Sequence, residues 1–370
     1  MFNSLPSMKL SSTNDSNREQ ICLNTLSSST FSQPTTKSIV DEICTKNDIN
    51  TQFNKVLVVG LGQLGLPVAR YVNERGFDTY GYDVSHQAIE RAEKTAGVKK
   101  AINFGEFDVF ILCVSTDDMF SPQIEGLLSI VEKISLEAKN GALVSIESTI
   151  PKGTSKKVFE LLNHRLHVVH APHRWYSLEE KEHGVNQLRV IGGVCECCLK
   201  AGTQFYDVRN NDATNTTNTT AITNPITSNS IDGNNNNYYD TSCNEDKNEQ
   251  KSLGIPMHPV SEVEIAETTK IVENAHRYLQ IAFAEDLYLY CQANDLNFSE
   301  FRDALNTKWN VNILEPREGI GGHCLPKDTK MFLESSNERK SKILTAAMEV
   351  DQDYRRYRTK LEKQSNSPIV

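Results

Sequence analysis

Residues 55–83 constrain this chain more than any other stretch. Lys55-Val56-Leu57-Val58-Val59 is a short apolar run of the kind that forms a buried parallel strand. It runs into Gly60-Leu61-Gly62-Gln63-Leu64-Gly65, and a helical pattern follows to about Glu74, closed by Arg75-Gly76. A second strand, 78–83, ends on Asp83, 18 residues past Gly65. Gly60 permits a tight turn, Gly62 lets a pyrophosphate approach the backbone, and Gly65 lets helix pack on strand. The helix start, with Gln63 and Leu64 in the same cradle, turns unpaired N–H groups toward phosphate. Asp83 is placed to accept the adenosine ribose hydroxyls, and its charge repels a 2′-phosphate, so NAD is expected rather than NADP. Three glycines alone say little. Strand, glycines, helix, strand and acid in that order define a Rossmann-type domain.

The alternation continues. Asp108–Val114 reads as a buried strand whose carboxyl end opens into Ser115 and Thr116, and Ala142–Ile146 as another, followed by Glu147-Ser148-Thr149. Ligands gather at that edge of a doubly wound sheet, so Val114, Ser115, Thr116, Glu147 and Ser148 are candidate cofactor contacts. Strands near 166–170 and 188–191 follow. From about 260 to 294 the apolar spacing turns helical, and Lys270 and Asn274, i and i+4, share one face of a single long helix. Shorter helices are expected over 298–305 and 340–358. The expected fold is α/β: an N-terminal Rossmann-type doubly wound parallel sheet, residues 54–208, then an all-α domain, 254–358, with a long central helix.

Residues 1–53 and 209–253 are rich in Ser, Thr and Asn, with few large aliphatic side chains, and are expected to be disordered. Residues 359–370 are a tail. A net charge of −9 argues against nucleic acid as a partner. Nine cysteines without framework spacing, no basic-then-apolar leader and no apolar run of membrane length point to a reduced, soluble, cytoplasmic protein. Cys195-Glu196-Cys197-Cys198 lacks a second pair at zinc-finger spacing. His164, His167, His170 and His173 recur every third residue, which on a strand sends them to opposite faces. Neither motif is read as a metal site.

Gly319-Ile320-Gly321-Gly322-His323-Cys324-Leu325-Pro326-Lys327-Asp328 lays glycine backbone against a ligand and delivers one cysteine into the turn. Cys324 is a nucleophile if Lys327 or His323 lowers its pKa, and otherwise an inert thiol between two helices.

With these residues in place the chain resembles the nucleotide-sugar 6-dehydrogenases of the UDP-glucose/GDP-mannose dehydrogenase family, and within it the UDP-N-acetylmannosamine branch. The matching stretches are GLGQLGLPVA at 60–69, ESTIPKGT at 147–154, RVIGG at 189–193, EIAETTKIVENAHRYLQIAFAEDL at 264–287 and NTKWNVNILEPREGIGGHCLPKD at 306–328. The resemblance implies NAD-dependent oxidation of a sugar C6 alcohol to a carboxylate in two hydride transfers, and a homodimer built on the long helix. It assigns Cys324 as nucleophile, Lys270 and Asn274 as oxyanion partners, and Asp328 and Thr149 as groups near the hydrolytic water. Two departures stand out. His173 follows Pro172 where the family carries a glutamate assigned to base catalysis, so His173 is the expected substitute. The family's second α/β domain, which grips the nucleotide, has no counterpart before Val370. Two other readings remain: a non-catalytic NAD-binding partner subunit, and a two-electron hydroxyacid-type dehydrogenase with no need of Cys324.

Overall fold

A computed structural model of the chain describes residues 52–118, 121–174, 184–207, 251–335 and 340–365. Most of the two segments expected to be disordered lies outside these residues. Their inner ends do not: Phe53 and Leu253 are both buried in the core, and Phe53 meets Phe205 edge-on at 5.6 Å.

The elements in chain order are β1 (Lys55–Val59), α1 (Gly65–Glu74), β2 (Asp78–Tyr82), α2 (His86–Ala96), β3 (Lys99–Lys100), β4 (Val109–Leu112), β5 (Asp117–Asp118) and β6 (Ser121–Pro122). There follow α3 (Glu125–Glu137), β7 (Leu143–Ile146), α4 (Thr154–Leu161), β8 (His167–His170), β9 (Arg189–Gly193), α5 (Glu196–Tyr206) and β10 (Met257–Val260). The helical part comprises α6 (Val263–Ala293), α7 (Phe298–Asn306), α8 (Cys324–Glu334) and α9 (Lys342–Ser365). Eight strands make one sheet in the order β10-β9-β8-β7-β4-β1-β2-β3, while β5 and β6 form a separate hairpin. Pairing is parallel throughout the large sheet except between β8 and β9. Every residue of β4, β7 and β8 is buried, as strands covered by helices on both faces must be. The α/β sheet followed by a helical domain is the expected architecture.

Two features correct the sequence reading. The sheet does not end before residue 209. β10, from beyond the Asn/Thr-rich segment, pairs parallel with β9, and Leu253, Ile255 and Met257 join the same core. Met257-His258-Pro259-Val260 carries no alternation to betray it, because only Met257 of the four is buried. Cys324 is also not in a turn between helices. It opens α8, with Pro326 in the first turn, where a missing N–H costs nothing.

α6 is 31 residues long, about 46 Å at 1.5 Å per residue. It starts tight against β9, where a Cβ on Gly192 would lie 2.8 Å from Val263 Cα. Further along, Tyr278 and Ala282 pack with Ile320 and with Ala347 of α9. Glu285 of α6 is fully buried there, and neither carboxyl oxygen has a hydrogen-bond partner among the described residues. Burial first, then the charge of Asp351, raises Glu285 to about 8. The folded chain therefore keeps a proton between roughly pH 4.5 and 8 that the unfolded chain releases, and stability falls as pH rises through that window. Glu285→Gln is expected to raise Tm more at pH 8.5 than at pH 5. An equal shift at both values would show that the carboxyl is not held neutral.

Candidate active site

The first part of the site lies at the carboxyl edge of the sheet. Gly60, at φ +87°, turns the chain off β1, and a Cβ there would sit 2.5 Å from the Cys113 carbonyl oxygen. A Cβ on Gly65 would collide with the Gly60 carbonyl. Gly62 is different: nothing lies within 4 Å of the place its Cβ would take. That is open room beside backbone, as a pyrophosphate requires. α1 starts at Gly65 with no side-chain cap; Leu66 N–H turns back to the Gly62 carbonyl at 3.2 Å, and Gln63 and Leu64 lie just before the helix start, beside the open room at Gly62. Asp83 braces the turn by accepting from Leu61 N–H at 2.7 Å and Ser85 N–H at 2.8 Å, and retains lone pairs for ribose hydroxyls. These residues fit a nicotinamide dinucleotide. Asp83→Ala is expected to weaken NAD and narrow its preference over NADP, read by titration of both. Equal affinity of the parent for the two cofactors would defeat the assignment.

The neighbouring loops are tied to one another. Ser148 Oγ donates to the Val114 carbonyl at 2.7 Å, and Thr116 Oγ1 donates to the Thr149 carbonyl at 2.5 Å. Ser115 is exposed at the rim. Glu147, expected as a cofactor contact, instead turns inward. Its carboxylate is 1% exposed, with Arg189 Nη1 at 2.9 Å, Tyr206 OH donating at 2.6 Å and His173 Nε2 at 3.4 Å. Tyr206 also meets Ser145 Oγ at 2.7 Å. The partners come from β9, α5 and the segment after β8, too far along the chain for spacing to reveal.

His173 belongs to the same cluster. Nε2 lies 3.1 Å from Arg189 Nη2 as well as 3.4 Å from Glu147, so in either tautomer that nitrogen is engaged. Burial, then the charges of Arg189 and Lys270, hold His173 well below its ordinary value. The side chain expected to replace a catalytic glutamate is thus a buried, neutral member of an ion-pair network, because Arg189 claims the ring.

The second part is contributed by the helical domain. Lys270 and Asn274 lie on the same face of α6, and Asn274 Nδ2 donates to Asp328 Oδ2 at 2.5 Å. Lys327 Nζ sits 3.2 Å from Asp328 Oδ1, both side chains being almost fully buried. Cys324 and Asp328 are i and i+4 on α8, which sets thiol and carboxylate on one face. Cys324 is exposed in the first turn of α8. Burial lowers the Lys270 ammonium, and the charges of Asp328, Glu273 and Cys324 oppose that shift. The amine therefore shares its surroundings with thiol and acid.

Supports that spacing did not suggest hold these parts together. Glu267, one turn before Lys270, accepts from Gly153 N–H at 2.6 Å and Ser155 N–H at 2.7 Å, fastening the half-buried Thr149 loop to α6. Asp351 Oδ1 accepts from Ile320 N–H at 2.7 Å, and Arg355 Nη2 donates to the Ile320 carbonyl at 2.6 Å, fixing the glycine turn that leads into Cys324. A cavity of about 330 Å³ opens beside that turn, lined by Arg277, Ile281, Leu314, Arg317, Ile320 and Leu325.

Fold and site together define a dinucleotide-binding sheet joined to a helical domain that carries a thiol, an amine, an amide and a carboxylate. The chain belongs to the UDP-glucose/GDP-mannose dehydrogenase family. The family's NAD binding domain matches residues 91–209 and its central domain residues 264–353, together more than half of the chain. Among curated relatives, UDP-N-acetyl-D-mannosamine dehydrogenase of Methanococcus maripaludis is 27% identical over 82% of this chain and 66% of its own length. The enzyme of that name from Campylobacter jejuni is 26% identical over 81% of this chain and 72% of its own. The chain thus spans about two thirds of the length of these relatives. In fold it is similar to UDP-D-ManNAc dehydrogenase of Pyrococcus horikoshii, at TM-score 0.64 and 23% identity, covering 84% of this chain and 71% of that one. It is also similar to Mycobacterium tuberculosis 3-hydroxyisobutyrate dehydrogenase, at TM-score 0.57 and 13% identity, covering 82% and 94%. Among the described residues no helix is long and apolar enough to cross a membrane.

Proposed function

We propose that the chain is an NAD-dependent nucleotide-sugar 6-dehydrogenase that converts a C6 alcohol to a carboxylate through a covalent adduct on Cys324. The observation that carries this reading is the meeting of α6 and α8, where the Asn274–Asp328 bond sets Lys270, Asn274 and Asp328 beside an exposed thiol. A simple alcohol oxidation has no use for that thiol. Held by the Gly60–Gly65 turn and Asp83, NAD supplies the hydride acceptor for both oxidations. Lys270 and Asn274 stabilise the alkoxide of the alcohol and then the oxyanion of each tetrahedral adduct. The Cys324 thiolate adds to the aldehyde carbon, and the resulting thiohemiacetal becomes a thioester when its C–H bond is broken. Water then cleaves the thioester, with Asp328 and Thr149 placing it, and the thiol is restored. The adjoining cavity is lined by Arg277 and Arg317 against a single acid, Glu315, and this excess of positive charge suits an anionic diphosphate. The relatives' substrates favour a UDP-N-acetylhexosamine over a simple hexose. Purified protein assayed against a panel of nucleotide sugars is expected to form two NADH for each sugar oxidised, with a carboxylate as product. One NADH for each sugar oxidised, with the aldehyde as product, would leave only the two-electron reading.

The same reading includes a homodimer through α6. Ile265, Val272, Phe283 and Tyr290 are all exposed on that helix at spacings of 7, 11 and 7, which keep them on one face. Phe283→Glu is expected to shift the mass in light scattering from dimer to monomer. A parent already monomeric at micromolar concentration ends that part of the proposal.

A further inference from the structure

The cysteine run and one of the four histidines, each unconvincing alone, meet in the fold. Cys195 is the extended residue that caps α5, and Cys197 and Cys198 lie in its first turn. Positions i and i+3 at a helix start share a face, so the caps of the run converge where a continuous strand would have spread them. The Cys195 sulfur lies 3.1 Å from that of Cys197 and 3.1 Å from that of Cys198. His167, the first residue of β8, faces them: its ring nitrogen and the Cys197 and Cys198 sulfurs all lie within 4.8 Å of one another. His167 is 4% exposed and Cys198 fully buried, while Cys195 and Cys197 reach toward solvent and leave an entry path. Val168 N–H points at the Cys198 sulfur from 3.3 Å, the outer hydrogen bond that a ligating thiolate takes.

We propose that Cys195, Cys197, Cys198 and His167 form a Cys3His site for a thiophilic divalent cation, zinc by its chemistry. Three sulfurs and one imidazole nitrogen are a tetrahedral zinc set, and bonds of about 2.3 Å to sulfur and 2.0–2.1 Å to nitrogen separate the ligand atoms by roughly 3.5–3.8 Å. As folded, the Cys195 sulfur is closer than that to its two neighbours, at 3.1 Å, while the His167 nitrogen and the Cys197 and Cys198 sulfurs lie within 4.8 Å of one another, so metal binding requires side-chain rotation that brings the Cys195 sulfur toward the imidazole. Soft thiolate ligands exclude magnesium and calcium. The N-terminus of α5 and the Val168 N–H offset the excess negative charge of three thiolates. The site sits at the amino end of β8, whereas His170 ends the strand and His173 follows toward Arg189 and Lys270. Its role is therefore to staple the β9–α5 corner to β8, apart from the thiol chemistry at Cys324.

The test uses the full chain, expressed with zinc in the medium, purified under reductant and exchanged into metal-free buffer. Elemental analysis should find one zinc per chain, retained in Cys324→Ser, which removes the exposed thiol outside the cluster among the described residues. His167→Ala should weaken zinc by more than the roughly 10–100-fold that loss of an outer-shell partner costs, and Cys197→Ser with Cys198→Ser should abolish it. If those variants fail to fold, the parent decides alone. Replacing zinc by cobalt(II) should produce thiolate-to-metal charge-transfer and tetrahedral d–d bands, and a strong chelator should lower Tm. A parent that holds no zinc and gives no such bands with cobalt overturns the proposal. So does zinc retained undiminished in the double variant, or a mass two hydrogens low under reductant, which would make the cluster a disulfide.

Discussion

Cys324→Ser is expected to give a short burst of NADH and then stall, with the protein gaining the mass of the acyl group. The serine hydroxyl sits at the same exposed helix start and still adds to an aldehyde once the first hydride has left. The second oxidation then leaves an oxygen ester. An alkoxide is a far poorer leaving group than a thiolate, so steady turnover should fall at least about a thousandfold, roughly 4 kcal/mol of barrier. Lys270→Ala separates the steps from the other side. It removes the charge that receives the first alkoxide, so no burst should appear and the rate should fall by roughly 10²–10³. Rapid-mix absorbance and intact-mass measurement check both. Turnover of Cys324→Ser at the parent rate would make the thiol structural and favour the hydroxyacid-type chemistry. A parent that binds NAD yet reduces it with no nucleotide sugar would favour the partner-subunit reading.

The second large effect lies in the ion cluster at Glu147. Glu147→Ala strands Arg189, which is 1% exposed, and removes an acceptor from Tyr206. Losing one partner of such a buried pair costs about 3–5 kcal/mol, and for a folded unit of this size that is a fall in Tm of roughly 10 °C. Glu147→Leu combined with Arg189→Met should recover much of the loss, because the pair is then replaced by apolar groups with no charge left over. A single variant that melts within about 2 °C of the parent would show that water reaches the cluster. This network also explains the chain's departure at His173. A glutamate there would bring a second carboxylate to Arg189, whereas a neutral imidazole fits between Arg189 and Glu147.

How much was legible follows the range of the interactions. The Gly60–Gly65 turn, α1 and Asp83 are consecutive, and local sterics and helix geometry place them whatever the rest of the chain does. Lys270 with Asn274 is readable for the same reason, since helical spacing alone puts them on one face. Within the Gly319–Asp328 motif the residues were evident but not their setting. The turn is held by Asp351 and Arg355 from α9, and Cys324 starts a helix that the glycines before it do not announce.

What the sequence determined by itself is thus the Rossmann-type sheet, the cofactor cradle, the long helix and the residue types of the reactive cluster. Each of these is signalled by a pattern of residues that lies within one turn, one strand or one helix. Tertiary structure alone decided which polar groups face the substrate and which face inward. Glu147 and Ser148 look alike as candidates at the end of β7, but Arg189 and Tyr206, 42 and 59 residues further on, take the carboxylate into the core. β10 is a strand only because β9 offers it an edge, and His167 meets Cys197 and Cys198 only because β9 runs antiparallel to β8 and returns the chain to that strand's start. A buried charge or a ligand atom is specified by what surrounds it in space, and periodicity along the chain carries no record of that.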